Sequence, residues 1–94
     1  MLNQIPRPVP DFDLQQLDGE IVLYHPSQTR ILYLNPSASL VWKLCDGTRT
    51  TQAIINLLTE AYPDAAGEIP ADVQAALQQF LKNGCIEMAG ITAP

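Results

Sequence analysis

The stretch Thr29-Arg30-Ile31-Leu32-Tyr33-Leu34-Asn35-Pro36-Ser37-Ala38-Ser39-Leu40-Val41-Trp42-Lys43-Leu44-Cys45-Asp46-Gly47 decides the fold. Its first six residues are a largely apolar run that reads as a strand. They lead without a gap into Asn35-Pro36, where Asn is a preferred N-cap acceptor and Pro fits the first helical position, whose N–H has no helical partner. At the far end Gly47 readily takes the left-handed conformation that stops a helix. A strand is therefore joined directly to a helix. Residues on its N-terminal side can pair with the strand, and residues on its C-terminal side can pack on the helix.

Toward the N-terminus, Glu20-Ile21-Val22-Leu23-Tyr24 is rich in β-forming residues, and His25-Pro26-Ser27-Gln28 reads as a turn. Phe12 and Leu14 alternate with Asp11, Asp13 and Gln15 at the two-residue period of a half-buried strand. Asp18-Gly19, between these two strands, is a pair suited to a type I′ hairpin turn. Residues 1–10, with proline at 6, 8 and 10, read as an extended, solvated arm.

Toward the C-terminus the period changes to that of helices. Residues 36–45 place Ala38, Val41, Trp42 and Cys45 on one stripe. A second helix begins near Thr51 with Thr50 as N-cap, carries Ile54, Leu57, Leu58 and Ala61, and stops at Tyr62-Pro63. After a polar loop over 64–68, Pro70 opens a third helix, which bears Val73, Ala76, Leu77, Phe80 and Leu81 and is ended by Gly84. Residues 85–88 are a candidate short strand and 89–94 a frayed tail. The expected architecture is α+β and winged-helix-like, a three-stranded antiparallel sheet followed by three helices, as one domain over 11–88.

The chemistry-bearing residues are sparse. The 94 residues are 47% hydrophobic and 16% charged, and ten acidic against five basic side chains give a net charge of −5. That balance repels nucleic acid and anionic membranes and suits a neutral or basic partner. Winged-helix regulators place their third helix in the major groove, but here that helix has one lysine, and Arg7, Arg30, Lys43, Arg49 and Lys82 are scattered. The lone histidine, His25, sits beside Pro26 with no nucleophile or carboxylate at a triad spacing. Cys45 and Cys85 lie far apart without a CxxC, and read as core residues. No phosphate-binding glycine loop is present, since the glycines stand singly at turns. The expectation is a protein that is not an enzyme and uses no metal or cofactor. The N-terminal residues lack the apolar core of a secretory signal and no run is long enough to span a bilayer, which points to the cytoplasm.

The sheet remains. The strand at 29–34 is last in its meander, so one side of its backbone is unpaired, and Arg30 is its one charge. That edge suits a partner peptide docking as a further strand. The alternatives are cover by the N-terminal arm, by the 85–88 tail, or by a second copy exchanging strands. About three outward hydrogen-bonding positions at roughly 0.5–1.5 kcal/mol each total at most about 5 kcal/mol. Micromolar binding needs about 8 kcal/mol, so an apolar groove beside the strand has to add the rest.

Several runs together resemble a known family: Asp18-Gly19-Glu20-Ile21-Val22-Leu23-Tyr24; Tyr33-Leu34-Asn35-Pro36-Ser37-Ala38 with Leu40-Val41-Trp42-Lys43-Leu44; Cys45-Asp46-Gly47-Thr48-Arg49-Thr50 leading to Ile54-Ile55; and Phe80-Leu81-Lys82-Asn83-Gly84-Cys85-Ile86-Glu87. They resemble the PqqD-like proteins, peptide chaperones built on the RiPP recognition element, over about residues 11–88. The resemblance implies a non-catalytic domain that captures the leader of a ribosomally made precursor peptide between its third strand and third helix. It then presents that precursor to a modifying enzyme, a radical SAM protein in pyrroloquinoline quinone biosynthesis or a leader peptidase in related pathways. Carried over, the binding edge is Thr29, Arg30, Ile31, Leu32, Tyr33 and Leu34, and the facing wall is Asp72, Val73, Ala76, Gln79 and Phe80. A winged-helix DNA-binding regulator and a strand-exchanged structural dimer are the competing readings.

Overall fold

The computed structural model describes residues 2–10, 12–18, 20–25 and 30–90. In chain order the elements are β1 (Gln4–Pro8), β2 (Asp13–Leu17), β3 (Glu20–His25), β4 (Arg30–Leu34), α1 (Pro36–Leu44), α2 (Thr51–Ala61), a 3-10 turn (Pro63–Ala65), α3 (Ile69–Lys82) and β5 (Ile86–Gly90). The architecture is α+β, and the expected meander is present as an antiparallel sheet in the order β2-β3-β4. Asp18 has the positive φ of 43° that a type I′ turn needs at its first central residue.

Local signals place the helices. The Asn35 side chain accepts the Ala38 N–H at 2.8 Å, and Thr50 accepts the Ala53 N–H at 3.0 Å, so each cap satisfies an otherwise unpaired donor. Gly47 and Gly84 hold φ values of 84° and 70° beyond the ends of α1 and α3. A methyl at Gly47 would also stand 3.1 Å from the Arg7 side-chain stem. Gly47→Ala is therefore expected to cost about 1–2 kcal/mol from the left-handed backbone, read as a lowered midpoint in urea unfolding. Adding Arg7→Ala relieves the close approach and not the backbone strain.

The N-terminal residues depart from expectation. The arm is extended, but it is not a solvated lead: Pro6 is buried, and β1 pairs antiparallel with β5 from Gln4↔Gly90 to Pro8↔Ile86. Ala89 and Gly90 are accordingly strand residues rather than frayed ends, while 91–94 lie outside the described residues. The added strand also turns α2. The Gln52 N–H donates to the Leu2 carbonyl at 3.0 Å and the Thr51 hydroxyl to the Gln4 carbonyl at 3.3 Å. Thr51, Ile54 and Ile55 are therefore buried, whereas Leu57 and Ala61, expected on the buried stripe, are exposed.

One core unites the layers. Ile21, Leu23 and Leu34 from the sheet meet Ala38, Val41, Trp42 and Cys45 of the α1 segment, Ile54 and Ile55 of α2, and Val73, Leu77 and Phe80 of α3. The Trp42 and Phe80 rings meet edge to face at a centroid distance of 5.3 Å. The Ser39 hydroxyl ties α1 to the sheet, accepting the Ile21 N–H at 2.9 Å and donating to the Leu34 carbonyl at 3.2 Å. No helix among the described residues is long and apolar enough to cross a membrane.

Candidate peptide-binding edge and clefts

The hydrogen-bonding direction of each β4 residue follows from register. Ser39 bridges the Ile21 N–H and Leu34 carbonyl, so these paired residues turn their backbone groups toward each other. In an antiparallel ladder this alternates residue by residue, so Leu32, opposite Leu23, also bonds to β3. Ile31 and Tyr33 therefore point their N–H and C=O groups away from the sheet. Among the described residues no strand pairs with this side of β4, because β1 and β5 pair with each other instead.

The outer side of β1 is differently made, while β2 and β5 each also have one side without a partner strand among the described residues. The Val9 N–H donates to the Cys85 carbonyl at 2.8 Å, so the odd-numbered residues of β1 face β5 and Pro6 and Pro8 fall on the outward side. Proline has no N–H to offer there, which closes that edge to further pairing. β4 contains no proline.

Beyond the end of β4, a cleft of about 250 Å³ is lined by Asn35, Ser37, Ala38, Asp72, Ala75, Ala76 and Gln79. An adjoining cleft of about 230 Å³ shares Ser37 and Asp72, and its walls are mainly apolar: Leu40, Val41, Leu58, Tyr62, Ala65, Ile69 and Val73. Asp72 lies in the first turn of α3, where a carboxylate complements the helix dipole. The ion pairs Arg7–Glu87 and Arg49–Asp46 do not involve it.

The structure divides the expected site residues. Thr29 lies outside the described residues. Ile31 and Tyr33 are exposed, Leu32 half-buried and Leu34 buried in the core, while Arg30 is placed as the first residue of β4. Asp72, Ala76 and Gln79 come together in the first cleft, with Val73 and Asp72 in the second. Phe80 lines neither. It is 0% exposed and belongs to the core against Trp42. The first cleft is also lined by Asn35, Ser37, Ala38 and Ala75, which the sequence reading did not include. The spacing 72, 75, 76, 79 is a single helical face, adjacent to the buried face 73, 76, 77, 80, and the sequence reading mixed the two.

No other arrangement competes for chemistry among the described residues. They contain no cluster of three or more metal-ligating side chains. Burial, and secondarily the Asp46 charge, push the Cys45 thiol up to about 12, and its Sγ–H donates to the Val41 carbonyl. It stays a neutral core thiol rather than a nucleophile. His25, at the end of β3, meets the Phe12 ring edge to face at 5.1 Å.

Comparison with known proteins bears on this geometry. Residues 20–86 match the family model described as Coenzyme PQQ synthesis protein D (PqqD). A protein of Rhodopseudomonas palustris (strain BisB5) named PqqA binding protein is 37% identical over 65 residues, which are 69% of this chain and 64% of that protein. The match thus spans somewhat under two thirds of the relative's length. The solved structure of TbiB1 in complex with the TbiA(beta) leader peptide has the same fold, with a TM-score of 0.74 over 94% of this chain and 99% of that one, at 17% identity.

Proposed function

Because the chain belongs to the PqqD family, we propose that it is a peptide-binding chaperone for ribosomally synthesised, modified peptides. It takes the leader of a precursor as a further strand on β4 and delivers it to a separate modifying enzyme, without catalysing a reaction itself. The pathway is pyrroloquinoline quinone biosynthesis or a related one, the receiving enzyme a radical SAM protein or leader peptidase, and the compartment the cytoplasm. The binding unit is 11–88, with Ile31 and Tyr33 supplying backbone hydrogen bonds and Thr29 and Arg30 extending the edge. Asp72, Ala76 and Gln79 contact the peptide, while Leu32, Leu34, Val73 and Phe80 back the groove.

The observation that carries this reading is the open, proline-free edge of β4, which runs directly into Asn35 on the wall of the cleft. Support comes from the names of the similar proteins, one called a PqqA binding protein and one solved with a leader peptide. The apolar cleft beyond Ser37 supplies burial that backbone pairing alone lacks.

The test uses a displayed library of random peptides selected on the immobilised protein. Tyr33→Pro removes an outward donor and leaves the β3–β4 ladder intact, as edge positions tolerate. It is expected to weaken selected peptides by roughly 10–100-fold, since one hydrogen bond is lost and a buried peptide carbonyl is left unpaired. Leu32→Pro is the wrong probe, because its N–H belongs to the ladder with β3. Selected peptides that bind Tyr33→Pro as well as the parent overturn strand addition. A wild-type mass that doubles with concentration, with no peptide selected, identifies a strand-exchanged dimer instead.

A further inference from the structure

The outer face of the three-stranded sheet, turned away from α1, is unevenly composed. Register places Val22 beside Tyr33 and Tyr24 beside Ile31 on this face. The same rows continue onto β2 as Gln15 and Asp13. Solvent-facing edge strands are normally kept polar or charged. Here the polar residues lie on β2, and the two most exposed large apolar side chains of the described residues, Tyr33 at 71% and Ile31 at 59%, lie on β4. Tyr24, between them and β2, lies opposite Asp13, whose carboxylate raises its phenol pKa.

Ile31 and Tyr33 are also the residues whose backbone groups point outward. A strand laid on β4 would set the residues it bonds directly opposite them, and directly opposite residues share a sheet face. We infer that Ile31 and Tyr33 determine specificity by their side chains as well as their backbone: the bound peptide carries two apolar residues, β-branched or aromatic, two positions apart, packed against them on the outer sheet face. The residue between turns to the opposite, helix-bearing face, on the side of Leu32. The peptide is read from both sides, and the outer rows Val22–Tyr33 and Tyr24–Ile31 each lengthen by one side chain. This rests on the strand-addition reading above and adds the chemistry of the partner.

Ile31→Thr and Tyr33→Thr keep β-forming residues and every backbone group while removing the apolar surface. Peptides selected on the parent from the random displayed library are expected to show β-branched or aromatic residues at i and i+2. Each Thr variant is expected to bind them about 5–10-fold more weakly and, in a fresh selection, to lose the preference at one of the two positions. Urea unfolding is expected to be unchanged. Peptides sensitive to Tyr33→Pro but indifferent to both Thr variants, with no i, i+2 preference, overturn this inference and leave strand addition standing. Peptides indifferent to Tyr33→Pro as well overturn both. Thr variants that bind peptide normally but slow its modification by a partner enzyme show the face to be an enzyme contact, and this too overturns the inference.

Discussion

Phe80→Ala is expected to lower stability by about 3–5 kcal/mol, the usual cost of emptying a buried aromatic site. At roughly 4–8 °C per kcal/mol for a domain of this size, the thermal midpoint falls by more than about 12 °C. Phe80 has no exposed surface, and its ring meets Trp42 at 87°, fastening α3 to α1 across the core. These two helices carry much of the walls of both clefts, with Leu58, Tyr62 and Ala65 completing the second, so the proposed peptide affinity is expected to be lost together with the fold rather than ahead of it. Thermal and urea unfolding of Phe80→Ala and Phe80→Leu check this. A groove contact would behave differently: its truncation would leave stability within about 1 kcal/mol, as surface substitutions do, and weaken binding alone.

Ser39→Ala is expected to cost about 2–4 kcal/mol although it removes a single oxygen. The hydroxyl serves the Ile21 N–H and the Leu34 carbonyl at once, and both are buried, so each loses its partner where water cannot replace it. Amide hydrogen exchange is the direct measurement. The Ile21 N–H should exchange far faster in the variant, with smaller changes along β3. The end of β4 that leads into Asn35 loosens with it, so the proposed peptide edge and the adjoining cleft lose their common support. Exchange at Ile21 that matched the parent would mean that the hydroxyl is dispensable.

The strand-to-helix junction, both helix caps and the glycine stops were legible in the sequence because each depends on a few adjacent residues. Asn35 caps a helix three positions on, and Gly47 and Gly84 act at single backbone positions. Trp42, Cys45, Val73 and Leu77 were legible as core from spacing alone. The pairing of β1 with β5 was not. It joins residues such as Arg7 and Glu87, 80 positions apart, and the prolines of β1 argue locally against any strand. Their tolerance rests on their facing the outward edge, which only register reveals. That one omission propagated into α2, whose buried side turned out to include Thr51 and Ile55 because β1 lies against it. The assignment of Phe80 to the groove failed for a related reason. Val73, Ala76 and Phe80 recur at the period of one stripe, and whether that stripe meets a partner or Trp42 depends on how α1 and α3 cross.

The clasp between the first and last strands also sets an order of events as the chain folds. Closing a loop of about eighty residues costs roughly 2–3 kcal/mol more than closing a hairpin, so the meander and helices should form first and the clasp should snap shut last. By the same reasoning it should be the first part to open when the domain breathes. The first and last strands can thus part and rejoin while the outward side of β4 stays in place.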